Sequence, residues 1–339
     1  MLNFSLIEKT IKYVKEKYPQ LECLFTITTN GLLLRDKFIS NFLKENNVFI
    51  CVSLDGYKEN HDRNRVTYNN NTTYDEITRI IDTNFKKYPF IYSLCCIDYK
   101  TDLIELYKFY KENDRAEGGN IPHLLRINFI NDLETNYFDS FSDEDRKNFS
   151  ENYNKLIDRY IELSQNGKSD WFLDLFIGQE ILGFYDRLRF DKNSRFYFVR
   201  GACIPGDKIY VLSDGTYSIC EKVCIDGLKI GHVSTGLNYD SIFEIITKFN
   251  ETLISKCGLC NISSLCNVCY AHLINENELG ITNKQCINKY SYFIKLIKII
   301  EEIEKINPTF FEKKINETCI KNNKSKIEKF DLLVKNLWR

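Results

Sequence analysis

The sequence predicts an α/β protein: βα units of a parallel sheet first, a cysteine-rich segment next, and helices last. Two observations carry this reading. Helix-period and strand-period apolar patterns alternate over roughly the first 130 residues. Eight of the 13 cysteines then crowd between Cys203 and Cys286.

Leu6, Ile7, Ile11 and Val14 share one face of a first helix. Leu24 to Thr29 is a short apolar strand that ends in Asn30-Gly31. Phe38, Ile39, Phe42 and Leu43 mark the next helix, and Val48 to Leu54 a second strand ending in Asp55-Gly56. A loop at Asn69-Asn70-Asn71 precedes a helix near Tyr74 to Phe85. A strand near Phe90 to Ile97, a helix near Leu103 to Tyr110 and a strand near Leu124 to Ile130 complete the alternation. Residues from about 143 to 195 read as helices, starting behind Ser142 with acids in the first turn. Ile209 to Leu212 and Tyr217 to Ile219 flank Ser213-Asp214-Gly215, a hairpin signal with Cys220 at its far end. Helices are expected over Tyr290 to Lys305 and Ser325 to Leu337.

The composition narrows the function. Apolar residues make up 43% and charged residues 27% of 339, an ordinary globular balance. The net charge of −1 supplies no field to recruit nucleic acid. Eight Lys and Arg against four acids make the last 28 residues basic, which reads as a solvated helix face. No apolar run reaches the ~18 residues of a membrane span, and the start has no signal-peptide pattern. The expectation is a cytoplasmic protein, in which so many cysteines are metal ligands or buried thiols rather than disulfides.

The cysteines carry the chemistry. Cys203 is followed by Cys220, then by Cys257-x2-Cys260-x5-Cys266-x2-Cys269, then by Cys286. Thiolates so spaced can converge, and soft sulfur selects zinc or an iron–sulfur cluster; spacing alone leaves both open. The polar strand ends are the second candidate. Thr29, Asn30, Gly31, Ser53 and Asp55 stand where parallel sheets place ligands, although Asn-Gly and Asp-Gly are also ordinary turn pairs. Arg126, inside an apolar strand, wants an anionic partner, either a ligand carboxylate or an acid such as Asp98, and the pair with the acid is the favoured expectation. The four histidines show no metal spacing among themselves.

These residues resemble a family. Thr29-Asn30-Gly31, Val52-Ser53-Leu54-Asp55-Gly56, His61-Asp62-x2-Arg65 and Thr72-Thr73-Tyr74-Asp75 look like the middle of radical S-adenosylmethionine (SAM) enzymes. The cysteine block looks like their SPASM extension: Gly215-x4-Cys220 and Cys257-x2-Cys260-x5-Cys266 match, and Cys269 comes one residue early. The resemblance implies a truncated partial parallel (β/α) barrel of the radical SAM type over 1–140, and a helical connector over 141–199. It further implies a SPASM auxiliary-cluster domain over 200–290, with C-terminal helices over 291–339. Within that superfamily it resembles sulfatase maturases and thioether-forming peptide maturases.

The resemblance also implies roles. Cys257, Cys260, Cys266 and Cys286 would hold one auxiliary 4Fe–4S cluster. Cys203, Cys220 and Cys269 would hold the second, with Cys224 or an open iron site in fourth place. Thr29, Asn30, Gly31, Ser53 and Asp55 would contact S-adenosylmethionine in the complete enzyme. Glu221, beside Cys220, stands where sulfatase-maturing relatives carry an acid proposed to take a substrate proton. Complete relatives generate a 5′-deoxyadenosyl radical that abstracts hydrogen from a peptide or protein side chain. The family's catalytic Cys-x3-Cys-x2-Cys and its Gly-Gly-Glu-Pro segment do not occur in this sequence. The chain is therefore expected to lack the first two barrel strands and to be inactive alone, with a missing N-terminal fragment as a candidate partner. The alternative class is a non-catalytic metal-binding module, zinc or iron–sulfur, or an inactive fragment.

Overall fold

A computed structural model describes residues 3–130, 136–186, 203–222, 225–263, 265–266, 268–270, 274–275, 278–279 and 283–317. The chain divides into two compact units, with the boundary between Glu180 and Ile181.

The first unit is built on a four-stranded, all-parallel sheet: β1 (Thr26–Thr29), β2 (Phe49–Ser53), β3 (Ile91–Ile97) and β4 (Leu124–Phe129) in sequential order. The helices α1 (Phe4–Lys17), α2 (Lys37–Glu45), α3 (Lys58–Asn64), α4 (Tyr74–Phe85) and α5 (Leu103–Asn113) alternate with the strands. Parallel neighbours need such crossovers, because a tight hairpin cannot reverse the chain between them. Asp36 and Asp102 cap the N-termini of α2 and α5 by accepting two main-chain amides each. The buried stripe of α4, Ile77, Ile80, Ile81 and Phe85, faces the sheet's apolar side, where Ile50, Val52 and Leu54 are fully buried. Each such side chain contributes roughly 1.5–3 kcal/mol by leaving water.

Strand alternation puts a different set on the other face. With the observed register, Cys51, Ser53, Tyr92, Cys96, Arg126 and Asn128 share it. A bulge opposite Ser93 and Leu94 skips Leu125 and aligns Arg126 with Leu94.

Helix α6 (Asp143–Gln165) follows. Its start is the one the acids behind Ser142 announce: Ser142 Oγ accepts the Asp145 amide at 3.1 Å, and Asp145 Oδ2 accepts the Ser142 amide at 2.9 Å. A helical stretch then runs through α7 (Trp171–Leu173), a π turn at Asp174–Gly178 and α8 (Gln179–Tyr185).

The second unit holds the expected hairpin. Strands β5 (Tyr210–Val211) and β6 (Thr216–Ser218) pair antiparallel, and β7 (Lys229–His232) and β8 (Gly236–Leu237) extend the sheet. Gly215 sits at φ +92°, and a Cβ there would lie 2.8 Å from Val233 Cγ2, so the turn requires glycine. Helix α9 (Tyr239–Cys257) leads into the cysteine cluster. A short antiparallel pair, β9 (Ile274–Asn275) and β10 (Glu278–Leu279), precedes α10 (Asn283–Glu304). The helix expected over Ser325 to Leu337 lies outside the described residues. Among the described residues no helix is long and apolar enough to cross a membrane.

Candidate metal centre and sheet-end site

The cysteine segment is bent by consecutive turns. Cys257 is the last residue of α9, and the amide of Cys260 donates to its carbonyl at 3.0 Å. Ser263 then donates to the Cys260 carbonyl at 3.1 Å, and Cys266 to the Ile262 carbonyl at 3.0 Å. This curl keeps Cys257, Cys260 and Cys266 close, and Cys286 joins them from the first turns of α10.

Electrostatics identifies the neighbours. Burial foremost, and then Cys266, Cys260 and Cys286, push the Cys257 thiol up to about 11. Burial also raises Cys266; Lys289 opposes, and Cys260 and Cys286 add to the rise. The charges of Cys260 and Cys286 thus reach both Cys257 and Cys266, and four sulfurs so grouped have a claim on a shared cationic core.

Cys203, Cys220 and Cys269 form the other group. Burial raises Cys220, an amide bond from Lys222 at 3.3 Å to its Sγ opposes, and Glu221 and Cys269 raise it further. Cys203 and Cys269 both act on the buried hydroxyl of Tyr270, which burial first and then these thiolates push up to about 12. Lys208 lies within reach of the charges of Cys220 and Cys203. Cys224 lies outside the described residues. Among the described residues, no three His, Cys, Asp or Glu side chains converge closely enough to hold a single metal ion.

Glu221 is half-exposed at the end of the hairpin. Its Oε2 accepts from Lys208 Nζ at 2.7 Å, and the Cys220 thiol donates to the same oxygen at 3.7 Å. The Lys208 bond is the main reason its carboxyl is held below the usual glutamate range.

At the sheet's carboxyl end, Thr29 Oγ1 accepts the Gly31 amide at 3.1 Å and Asn30 Oδ1 the Leu32 amide at 3.3 Å. Gly31, at φ +85°, packs where a Cβ would lie 3.1 Å from Ile77 and 3.2 Å from Val52. The Asp55 carboxylate is fully engaged: Arg65 binds both its oxygens, and Oδ1 also accepts the Cys96 amide at 2.8 Å. Ser53 is half-buried on the sheet face that carries Arg126.

The expected Arg126–Asp98 pair is not formed. Asp98 is buried and taken by Arg63 Nη2 at 2.6 Å, Tyr137 Oη at 2.7 Å and Asn64 Nδ2 at 3.1 Å. Arg126 is exposed, and its charge acts on Cys51 and Cys96. The register is the physical reason: Arg126 lies opposite Leu94, four residues short of Asp98, and the bulge in β4 sets it on the face of Cys51 and Cys96. Cys51, Cys96, Tyr92 and Asn128 were not singled out from the sequence, although strict alternation along β2 and β3 is the signal that groups them with Ser53.

No protein-family model matches the chain. Curated relatives do. The chain is 26% identical over 281 residues to the cysteine-type anaerobic sulfatase-maturating enzyme of Clostridium novyi (strain NT), covering 78% of this chain and 69% of that protein. It is 24% identical over 265 residues to the enzyme of the same name from Clostridium perfringens (strain ATCC 13124), covering 74% and 65%. The chain thus spans about two thirds of the length of these relatives. Among solved structures, native anSMEcpe with bound AdoMet and Kp18Cys peptide superposes with a TM-score of 0.60 at 22% identity, covering 89% of this chain and 82% of that one. Native anSMEcpe with bound AdoMet gives the same TM-score at 21% identity. In sequence and in fold, the chain resembles the anaerobic sulfatase-maturating enzymes.

Proposed function

We propose that this chain is an iron–sulfur protein of the radical SAM maturase type that acts on a peptide or protein substrate. Cys257, Cys260, Cys266 and Cys286 would bind one auxiliary 4Fe–4S cluster, and Cys203, Cys220 and Cys269 the other. The observation that carries this reading is the grouping of the seven thiols into one set of four and one set of three. A four-iron core takes one thiolate at each corner, so its ligands stand farther apart than four ligands around one zinc ion. The likeness to the sulfatase-maturating enzymes favours a cluster over zinc for these thiols.

When bound, such clusters supply one-electron chemistry. The chain's own residues would orient and insulate. Ser53 and Arg126 on the sheet face offer a hydroxyl and a cation to an amino-acid moiety such as that of S-adenosylmethionine. Thr29, Asn30 and Gly31 shape the neighbouring turn, and Asp55 holds the strand ends through Arg65 and Cys96. Glu221, kept ionised by Lys208, is the carboxylate placed to accept a substrate proton beside Cys220. The 339 residues contain no Cys-x3-Cys-x2-Cys for a catalytic SAM cluster. Ligands for such a cluster would have to come from outside these residues.

Anaerobic reconstitution tests the reading. A brown protein absorbing near ~400 nm, with about eight irons and matching sulfide, is expected. A colourless protein that retains zinc would overturn it.

A further inference from the structure

Tyr270 follows Cys269 directly, is 2% exposed, and packs against Phe249 of α9 with ring centroids 4.2 Å apart and the planes tilted by 34°. Phe249 is itself fully buried, so the phenol ring is fixed in place. Its hydroxyl is sealed from solvent and meets no hydrogen-bond partner among the described residues. A buried hydroxyl left unpaired is costly, and folded proteins retain few of them. The thiols whose charge reaches this hydroxyl are Cys203 and Cys269. Both belong to the group of three, which offers one thiolate fewer than a four-iron core has corners. Next to negatively charged sulfur, a phenol lowers its energy by donating its proton in a hydrogen bond rather than by accepting one.

We propose that Tyr270 donates a hydrogen bond to a sulfur of the cluster held by Cys203, Cys220 and Cys269, and thereby sets that cluster's reduction potential. This rests on the iron–sulfur reading of that group. A donor aimed at a cluster sulfur stabilises the more negative, reduced form, so it raises the potential. Tyr270 is in this sense a positioning and tuning residue, not a ligand.

The test uses the full chain, reconstituted anaerobically, and reads iron content together with a potentiometric titration followed by electron paramagnetic resonance. Tyr270→Phe keeps the ring and removes only the hydroxyl. It is expected to retain the wild-type iron content and to shift one of the two midpoint potentials to a more negative value. The shifted signal should be the one that Cys220→Ala abolishes. Tyr160→Phe, which alters a buried tyrosine of the first unit, should move neither potential. Unchanged potentials in a fully loaded Tyr270→Phe protein would overturn the assignment. So would the loss of about half the iron, which would make Tyr270 a ligand. A wild-type chain that takes up no iron would instead remove the cluster reading itself, and the proposal with it.

Discussion

Arg65 grips both carboxylate oxygens of Asp55, while Asp55 Oδ1 also accepts the main-chain amide of Cys96 at 2.8 Å. One ion pair thus ties the segment after β2 to β3 and to the end of α3. The Asp55 side chain is 4% exposed and that of Arg65 is 26% exposed. Removing the cation would leave a buried carboxylate without its counter-charge, which is worth more than the pair itself. Arg65→Ala is expected to cost about 3 kcal/mol in urea unfolding. Arg65→Lys should recover only part, because an ammonium cannot reach both oxygens in the fork geometry.

His61 gives the first unit a pH dependence with a definite sign. It is fully buried; Nδ1 accepts the Asp55 amide at 3.2 Å, so the proton rests on Nε2, which donates to Thr73 Oγ1 at 3.0 Å. Thr73 Oγ1 in turn donates a hydrogen bond to the Arg65 carbonyl at 2.8 Å. Burial is the main cause that lowers the His61 pKa below its ordinary 6.5, against the nearby charge of Asp55. Below that ordinary value the unfolded chain takes up a proton that the folded chain refuses, so stability falls as pH drops from about 6.5 toward the lower folded value. Denaturant midpoints should therefore decline between about pH 7 and pH 5.5. His61→Gln should be weaker at neutral pH but flatter across this window; an equal slope in both proteins would refute the assignment.

Much of the first unit was legible from the sequence. The helix expected over Tyr74 to Phe85 and the Ser142 start of α6 both hold, because a 3.6-residue apolar period and a cap are local signals. The strands are trimmed by a residue or two at their ends, where the ladder has no further partner. The engagement of Asp55 was not legible. Its partners lie ten and forty-one residues away, and only the closed sheet brings them together. Arg126 shows the same limit: a bulge moved it by one position and so changed its face. The grouping of the cysteines came from the family resemblance, because local spacing does not say which thiols from distant stretches such as Cys203, Cys220 and Cys286 meet the others.

Gly56 closes the turn behind Asp55 at φ +81°, and a Cβ there would lie 2.2 Å from Leu106 Cδ1, a side chain that is fully buried. Gly56→Ala therefore combines left-handed strain of roughly 1–2 kcal/mol with displacement of a packed leucine. Gly118 provides the comparison, with φ +89° and nothing within 4 Å of an added Cβ. Gly118→Ala should lose about 1 kcal/mol and Gly56→Ala distinctly more in thermal or urea unfolding. Equal losses would show that Leu106 yields freely.

Cys266 and Cys269 are three residues apart yet belong to different groups: Cys266 is raised by Cys260 and Cys286, whereas Cys269 acts on Cys220 and Tyr270. Sequence neighbours would then feed two separate metal centres. Cys266→Ala and Cys269→Ala should each lower reconstituted iron by about half, and should abolish different resonance signals. The double variant should lose nearly all iron. Because bound metal stabilises only the folded state, chelation should also lower the unfolding temperature of the second unit. If the two single variants erased the same signal, the seven thiols would serve one centre, and the division into four and three would fail.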